Sequence, residues 1–457
     1  MFPAVSPEAL KGTPTDVMTE RLALAVVVIY AVVQIALAIG HDPWLDEAQA
    51  WILASRADSP LDLLILPGEG HPPLWYWILW SLSRAVDFSQ ARYLTLPFAI
   101  LNGWLLSRLL RGYVPVLVLM LASFAVIQFW GFHFRPYTLI FTCLLSALLL
   151  DRKGQSMAAT WLLVVACALH FLAGFLFAFW LFWQWHKGTP LPKLLAPAVV
   201  ALAFGLLAVI SGMGANTTIG PGEDVSVLTL VLEGLGWAGM IDPLRGPVVA
   251  VLTFAGLIFA LRERPGIAGA LIALLLVFAV ATALVYGRTP WHTTFMTMLC
   301  FMAVSVAGFT RQRAWVMAIL LVPQASFGVI AAQLRLSNPV WAHQGLYELV
   351  RSDAGADFVP ERDLVGWPNL VIPPYTATYG IEMVDGNSGG LMGPVDWSIY
   401  KPEFISDVFV EMEGPYWLIC AACELIVAHL QDEGRSTTLL GEKFMIDHGA
   451  FGAYRVD

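Results

Sequence analysis

Long apolar runs separated by short basic turns dominate the first 334 residues. They fall at about 22–40, 93–110, 113–132, 136–150, 157–186 (read as a tight pair), 194–211, 246–261, 267–286, 291–310 and 314–333. A membrane-crossing helix needs roughly 20 predominantly apolar residues, so the runs near 136–150 and 157–186 are short for the task. Segment 72–88 is also apolar but short, and it carries Trp75, Trp77 and Trp80. It is predicted to lie along the membrane surface rather than cross. The first outer loop then extends from about 41 to 92, and long ordered loops tend to be functional. After about residue 334 the hydropathy falls. Val340 to Val350 reads as an amphipathic helix, and strand-like runs follow at Asn369–Ile372, Tyr416–Ile419 and Phe451–Val456, separated by loops such as Gly386-Asn387-Ser388-Gly389-Gly390. The expected fold is an α-helical polytopic membrane protein of about 11 transmembrane helices, with interfacial helices in the first outer loop. Residues 1–334 form the membrane domain, and residues 335–457 form a small mixed α/β domain outside the membrane.

Composition supports the membrane class. The chain is 58% hydrophobic and 13% charged, against about 25% charged in soluble domains. A net charge of −9 without a basic tract does not argue for nucleic acid, and none is expected as a partner. Charge also orients the chain. With Lys11 and Arg21 in the cytoplasm, the pairs Arg108/Arg111, Arg152/Lys153, Lys187/Lys193, Arg262/Arg264 and Arg311/Arg313 all fall in cytoplasmic turns. This parity requires that segment 72–88 does not cross, and it places the C-terminal domain outside. Residues 1–20 lack a cleavable signal pattern, so the first apolar run is expected to remain as an anchor. Cys143, Cys167 and Cys300 lie in apolar runs and read as packing residues. Cys420-Ala-Ala-Cys423 has redox-motif spacing, and is read as a local disulfide or buried thiols in preference to a redox centre.

The informative chemistry lies in the first outer loop. Asp46 and Glu47 stand side by side just after the first apolar run. A carboxylate pair beside a membrane helix is costly to keep and points to chemistry or ion binding. On the predicted topology other polar residues converge on the same face: Glu69, His71, Arg84 and Arg92 from the first loop, and His133, Arg135 and Tyr137 from the end of the third span. His170 joins them from the top of the short pair, and Arg288 and His292 from the loop near 287–292. Arginine and histidine neutralise phosphate oxygens, and a carboxylate can take a proton from an attacking hydroxyl. Each residue also has a plainer role. Asp46 or Glu47 would cap the helix that follows, Arg92 and Arg135 would anchor at the interface, and His71 and His170 would be a loop and a core histidine.

The pattern resembles the GT-C superfamily of polyprenyl-phosphate-sugar-dependent glycosyltransferases, within it the protein O-mannosyltransferase and lipid A aminoarabinose transferase group. Trp44-Leu45-Asp46-Glu47 is similar to the family's acidic motif in the first outer loop. Gly70-His71-Pro72-Pro73-Leu74-Trp75-Tyr76 is similar to its His/Lys-Pro-Pro-Leu-x-Tyr element. Ala91-Arg92-Tyr93-Leu94 stands where an Arg followed by Leu-Pro opens the second span, Phe134-Arg135-Pro136-Tyr137 resembles an Arg-Pro-Tyr element, and Leu169-His170-Phe171 a Leu-His-aromatic stretch. The chain departs from the family where Pro97 comes late after Arg92, and where Pro290-Trp291-His292 replaces an Arg-Tyr or Arg-His element. The resemblance implies sugar transfer from a polyprenyl-phosphate donor to a hydroxyl acceptor of the cell envelope. The site would face the outer side of a bacterial inner membrane. Asp46 would be the base with Glu47 in support, and His71, Arg92 and Arg135 would hold the phosphate. Glu69, Arg84, His133, Tyr137, His170, Arg288 and His292 would be further substrate contacts. No cofactor is required, although a carboxylate–histidine cluster can bind a divalent cation. The alternatives are a secondary transporter or lipid flippase, and a catalytically silent relative acting in envelope assembly.

Overall fold

In the computed structural model the described residues are 14–41, 43–213, 226, 228–229, 231–232, 247–285, 290–337, 342–391, 409, 412, 414–421, 423–445 and 449–457. Most of them are helical. The N-terminal part comprises α1 (Pro14–Gly40), α2 (Leu45–Arg56), α3 (Leu74–Ser83), α4 (Phe88–Ala91), α5 (Thr95–Leu109), α6 (Val114–Ala122), α7 (Tyr137–Arg152), α8 (Ser156–Leu169), α9 (Ala173–His186) and α10 (Leu191–Gly212). It continues with α11 (Pro247–Leu261), α12 (Pro265–Val285), α13 (Pro290–Ala307) and α14 (Arg311–Ser337).

Four helical stretches are long and apolar enough to cross a membrane: Met18–Gly40, Leu191–Gly212, Pro265–Ala283 and Arg311–Ser337. The number rises to 5 if α6 and the π-helical segment Ala125–Phe132 count as one span. The expected eleven full-length spans are therefore not reached among the described residues, because α5, α7, α8, α9, α11 and α13 are shorter. The long helices expose rows of apolar side chains, including Leu22, Val28 and Val32 on α1 and Leu195, Val199, Leu202 and Leu206 on α10. Such extended apolar faces suit lipid and not water. The chain thus has the build of a polytopic helical membrane protein. Helix α3 has ten residues, about 15 Å at the helical rise, half of what a span needs.

The run at 113–132, expected to be one span, is broken. Helix α6 and the π segment meet at a 67° bend. At the break, Ser123 folds its hydroxyl onto the Met120 carbonyl at 2.7 Å. Glycine 328 of α14 packs against it so tightly that a Cβ there would lie 2.2 Å from the Ala122 carbonyl oxygen and 2.7 Å from the Phe124 nitrogen. The π segment rests on Gln34 of α1, whose amide donates to the Ile127 carbonyl at 3.3 Å.

Contacts at the helix termini sort the bundle into two ends. At one end Asp151, near the end of α7, accepts hydrogen bonds from Ser156 at the start of α8 (2.6 Å) and from Gln184 (3.0 Å) and Lys187 (2.7 Å) at the end of α9. The same end gathers Arg111 paired with Glu20 of α1 at 2.6 Å, and Arg313 of α14 donating to carbonyls at the ends of α11 and α13. The opposite end holds the α1 terminus, α2, the start of α7 and the α8–α9 break.

The C-terminal part is a five-stranded sheet of order β2-β1-β3-β5-β4. The strands are β1 (Leu364–Trp367), β2 (Val384–Asp385), β3 (Tyr416–Ala421), β4 (Thr437–Met445) and β5 (Gly449–Val456), with β1 parallel to β2 and β3 and the β3–β5–β4 pairs antiparallel. Helices α15 (Ala342–Ala354), α16 (Pro360–Asp363), α17 (Ile372–Tyr379) and α18 (Cys423–Asp432) accompany it. The strand expected at Asn369–Ile372 is instead a helical turn leading into α17. Pro373 and Pro374 suit the first turn of a helix, where their missing N–H groups cost nothing. Cys420 and Cys423 form a local disulfide. Helix α17 packs on α2, and Leu45 of α2 joins the apolar cluster of this domain.

Candidate functional site

Glu47 is the organising residue of the site. It occupies the third position of α2 and is fully buried. One carboxylate oxygen accepts the Trp44 N–H at 3.0 Å, the reach-back that fixes a helix start. The same oxygen lies 2.6 Å from Nε2 of His41, so the two share a proton. The other oxygen accepts the Phe134 N–H and faces Nδ1 of His133 at 3.9 Å. A single side chain thus ties the end of α1, the start of α2 and the corner before α7. Burial raises its pKa above the ordinary carboxyl value, opposed by His133, the two amides and Arg135. Arg92 attaches to this node through the His41 carbonyl at 3.1 Å and Tyr93 at 2.7 Å.

Asp46 precedes Glu47 and so points about 100° away around the helix. Its carboxylate is 24% exposed and lies 3.4 Å from Nη2 of Arg135. Arg135 is nearly buried, and its Nη1 donates to the Asp46 carbonyl at 2.9 Å. Asp46, Tyr137 and Tyr76 together hold the guanidinium firmly protonated despite its burial. This end of α7 is thus clamped twice to α2, once through Glu47 and once through Asp46.

The segment carrying Glu69 and His71 is anchored to α10. Ser211 accepts the Gly68 N–H on its carbonyl at 2.7 Å and the Leu66 N–H on its hydroxyl at 3.2 Å. Gly70 adopts φ +62° and touches Gly212, where a Cβ would meet the Gly70 Cα at 3.3 Å. Glu69 accepts from Gln49 at 2.9 Å and from the Tyr76 hydroxyl at 2.8 Å. Burial, reinforced by Glu69, keeps the Tyr76 phenol well above its usual range.

His71 donates Nδ1–H to the Glu69 carbonyl at 2.5 Å, and its Nε2 is buried without a partner among the described residues. Burial and the nearby Arg135 push its pKa down to about 3, with the Glu69 hydrogen bond opposing. The His71 ring meets that of His170 edge-on at 4.9 Å. His170 sits at the α8–α9 break, where its Nδ1 accepts the Leu172 N–H at 3.2 Å, and its buried Nε2 has no partner among the described residues. Tyr137 and His292 lie beside it, with ring centroids at 5.4 and 5.8 Å.

The structure therefore gathers Asp46, Glu69, His71, Arg135, Tyr137, His170 and His292 into one cluster, with Glu47 and His133 buried behind it. Arg84 does not join. It is exposed, bonded to the Ala57 carbonyl at 2.5 Å and stacked on Trp80. Arg288 lies outside the described residues. Sequence reasoning missed His41, Gln49, Tyr76 and Ser211 as site builders. Gln49 follows Asp46 by three positions on the same helix and Tyr76 closes the Gly70–Tyr76 stretch, so both carried a signal. Ser211, inside an apolar run, carried none.

Two kinds of chemistry suit this arrangement. Arg135 and the Nε2–H of His170 can hold an anion, while Asp46, part-open at the rim, can take a proton. Separately, donor atoms of His41, Glu47 and His133 lie within 4.8 Å of one another, a set able to hold a divalent cation. An ion there would have to displace the proton shared by His41 and Glu47. No protein-family model, curated protein or solved structure matches this chain.

Proposed function

We propose that this protein is a membrane glycosyltransferase that moves a sugar from a polyprenyl-phosphate donor to a hydroxyl of a cell-envelope acceptor, with inversion at the sugar carbon. The observation that carries this reading is the pairing of a part-exposed carboxylate, Asp46, with the buried Arg135 beside the imidazoles of His71 and His170. Asp46 accepts the proton of the acceptor hydroxyl as the new glycosidic bond forms. The phosphate leaves as an anion, which needs charge neutralisation more than protonation. Arg135 supplies this, with the Nε2–H of His170 and the Tyr137 hydroxyl nearby as donors, while the unprotonated Nε2 of His71 can accept from a substrate hydroxyl. Glu47 serves as the buried clamp that positions Asp46.

In the same reading α1, α5, the bent α6 pair, α7 to α10 and α11 to α14 are eleven crossings. The alternation of their termini between the two ends supports this, as does the clustering of Arg111, Arg152, Lys187, Arg311 and Arg313 at the end opposite Asp46. That basic end is cytoplasmic. The site and the C-terminal domain then face the outer side of a bacterial inner membrane.

Transfer of labelled sugar from a synthetic polyprenyl-phosphate donor tests the assignment. Asp46→Asn keeps the side-chain shape and removes the base, so turnover falls by about 10²–10⁴ while the protein still inserts. Normal turnover in the combined Asp46→Asn, Glu47→Gln variant would end the reading. The 67° break in the third crossing favours one second reading, a carrier, because broken helices line carrier paths. Lipid-phosphate movement across proteoliposomes without sugar transfer would select it.

A further inference from the structure

At the end of the bundle opposite Asp46 lies a cavity of about 580 Å³, lined by Arg108, Arg111, Arg152, Trp183, Ser305 and Phe309 among others. Its volume falls in the ~300–1,000 Å³ range of small-ligand sites. Helices α5, α7 and α13 each start at the Asp46 end and finish at this cavity. Their 15, 16 and 18 residues span about 22–27 Å at the helical rise. The cavity thus sits most of a hydrocarbon thickness (~30 Å) from the outer site, toward the opposite headgroup layer.

The lining selects for an anion. Asp151 is the one carboxylate on the wall, and Lys187, Gln184, Ser156 and Trp183 satisfy it within the fold. Arg111 pairs with Glu20. Arg152 spends one N–H on the Leu109 carbonyl at 2.9 Å, and no carboxylate among the described residues pairs with it or with Arg108. Several helix carboxyl ends meet here and bring partial negative charge. Donors from Arg152, Arg313 and Tyr113 to the carbonyls of Leu109, Ala307, Gly308 and Phe309 offset it. Ser305 adds a hydroxyl that is 95% buried and has no partner among the described residues. Leu148, Val306 and Phe309 make the rest of the wall apolar.

We infer that this cavity is a binding site for the phosphodiester headgroup of an anionic phospholipid, with Arg108 and Arg152 on the phosphate and Ser305 on a headgroup hydroxyl. A basic pocket between helices at headgroup depth is a fitting receptor for such a lipid, and the apolar wall accommodates its glycerol and upper acyl carbons. The site is separate from the proposed transferase chemistry and does not depend on it.

Native mass spectrometry of the full chain in detergent, titrated with phosphatidylglycerol or phosphatidylcholine, tests the proposal. The expected result is selective retention of phosphatidylglycerol, at least tenfold over phosphatidylcholine, with retention reduced tenfold or more in Arg108→Gln/Arg152→Gln. Ser305→Ala, which removes only an oxygen, should reduce it by a smaller factor. Equal retention of the two lipids by the unmodified protein would overturn the inference without recourse to any variant. Displacement of phosphatidylglycerol by millimolar inorganic phosphate or glycerol 3-phosphate would also overturn it, by assigning the cavity to a soluble phosphate.

Discussion

At the residue scale, the two adjacent carboxylates have opposite surroundings, one enclosed and one part-open, because one step along a helix points them in different directions. The pair itself was legible in the sequence, and so was the capping role that Glu47 performs. What one dimension could not convey was which of the two is buried, since that depends on His41 arriving from the end of α1 and on His133 and Phe134 arriving from the corner before α7. His71 illustrates a second limit. Read along the chain it is a loop residue before two prolines, yet the fold half-buries it beside Arg135, encloses its Nε2 and lowers its pKa to about 3. In the unfolded chain it titrates near 6.5. Between those values the unfolded state binds more protons, so His71 contributes stability that is complete above about pH 6.5 and is lost as pH falls toward 3. The midpoint of thermal unfolding in detergent should therefore drop between pH 7.5 and 5 more steeply in the native protein than in His71→Gln. Parallel slopes would show that His71 is not held neutral in the fold.

Among the elements, the apolar runs translated well into helices, because a lipid-facing helix must be apolar over its length and basic residues mark its ends. The break at Ser123 was invisible. The run at 113–132 contains no proline after Pro115 and no charge, and the bend arises from its neighbours: Gln34 under the π segment and Gly328 against the break. This close approach predicts that Gly328→Ala must push backbone aside. Overpacking of this kind costs about 1–3 kcal/mol, read as a lowered unfolding midpoint, whereas an unchanged midpoint would place α14 away from the bend. The misplaced strand at Asn369–Ile372 has a different cause. Three apolar β-formers before two prolines read as a strand end, and the same prolines open α17.

Across the whole molecule, the C-terminal domain bears on α2 through α17, with Arg56 and Glu382 facing each other at 3.9 Å. The helix that carries Asp46 is therefore held from the membrane side and from the domain side at once. Its other neighbour, the segment with Glu69 and His71, is suspended from the tip of α10 by Ser211. Helix α10 has 22 residues, about 33 Å at the helical rise, against a hydrocarbon core of about 30 Å. A helix that outreaches its bilayer tilts, and a thicker bilayer lets it stand upright. Its tip would then lift, drawing His71 away from His170 and Arg135, which are carried by other helices. The protein would in this way act as a gauge of acyl-chain length. On the proposed transferase reading, binding of polyprenyl phosphate should change between vesicles of 14- and 22-carbon lipids, and Ser211→Ala, which cuts the tether to Leu66, should flatten that dependence.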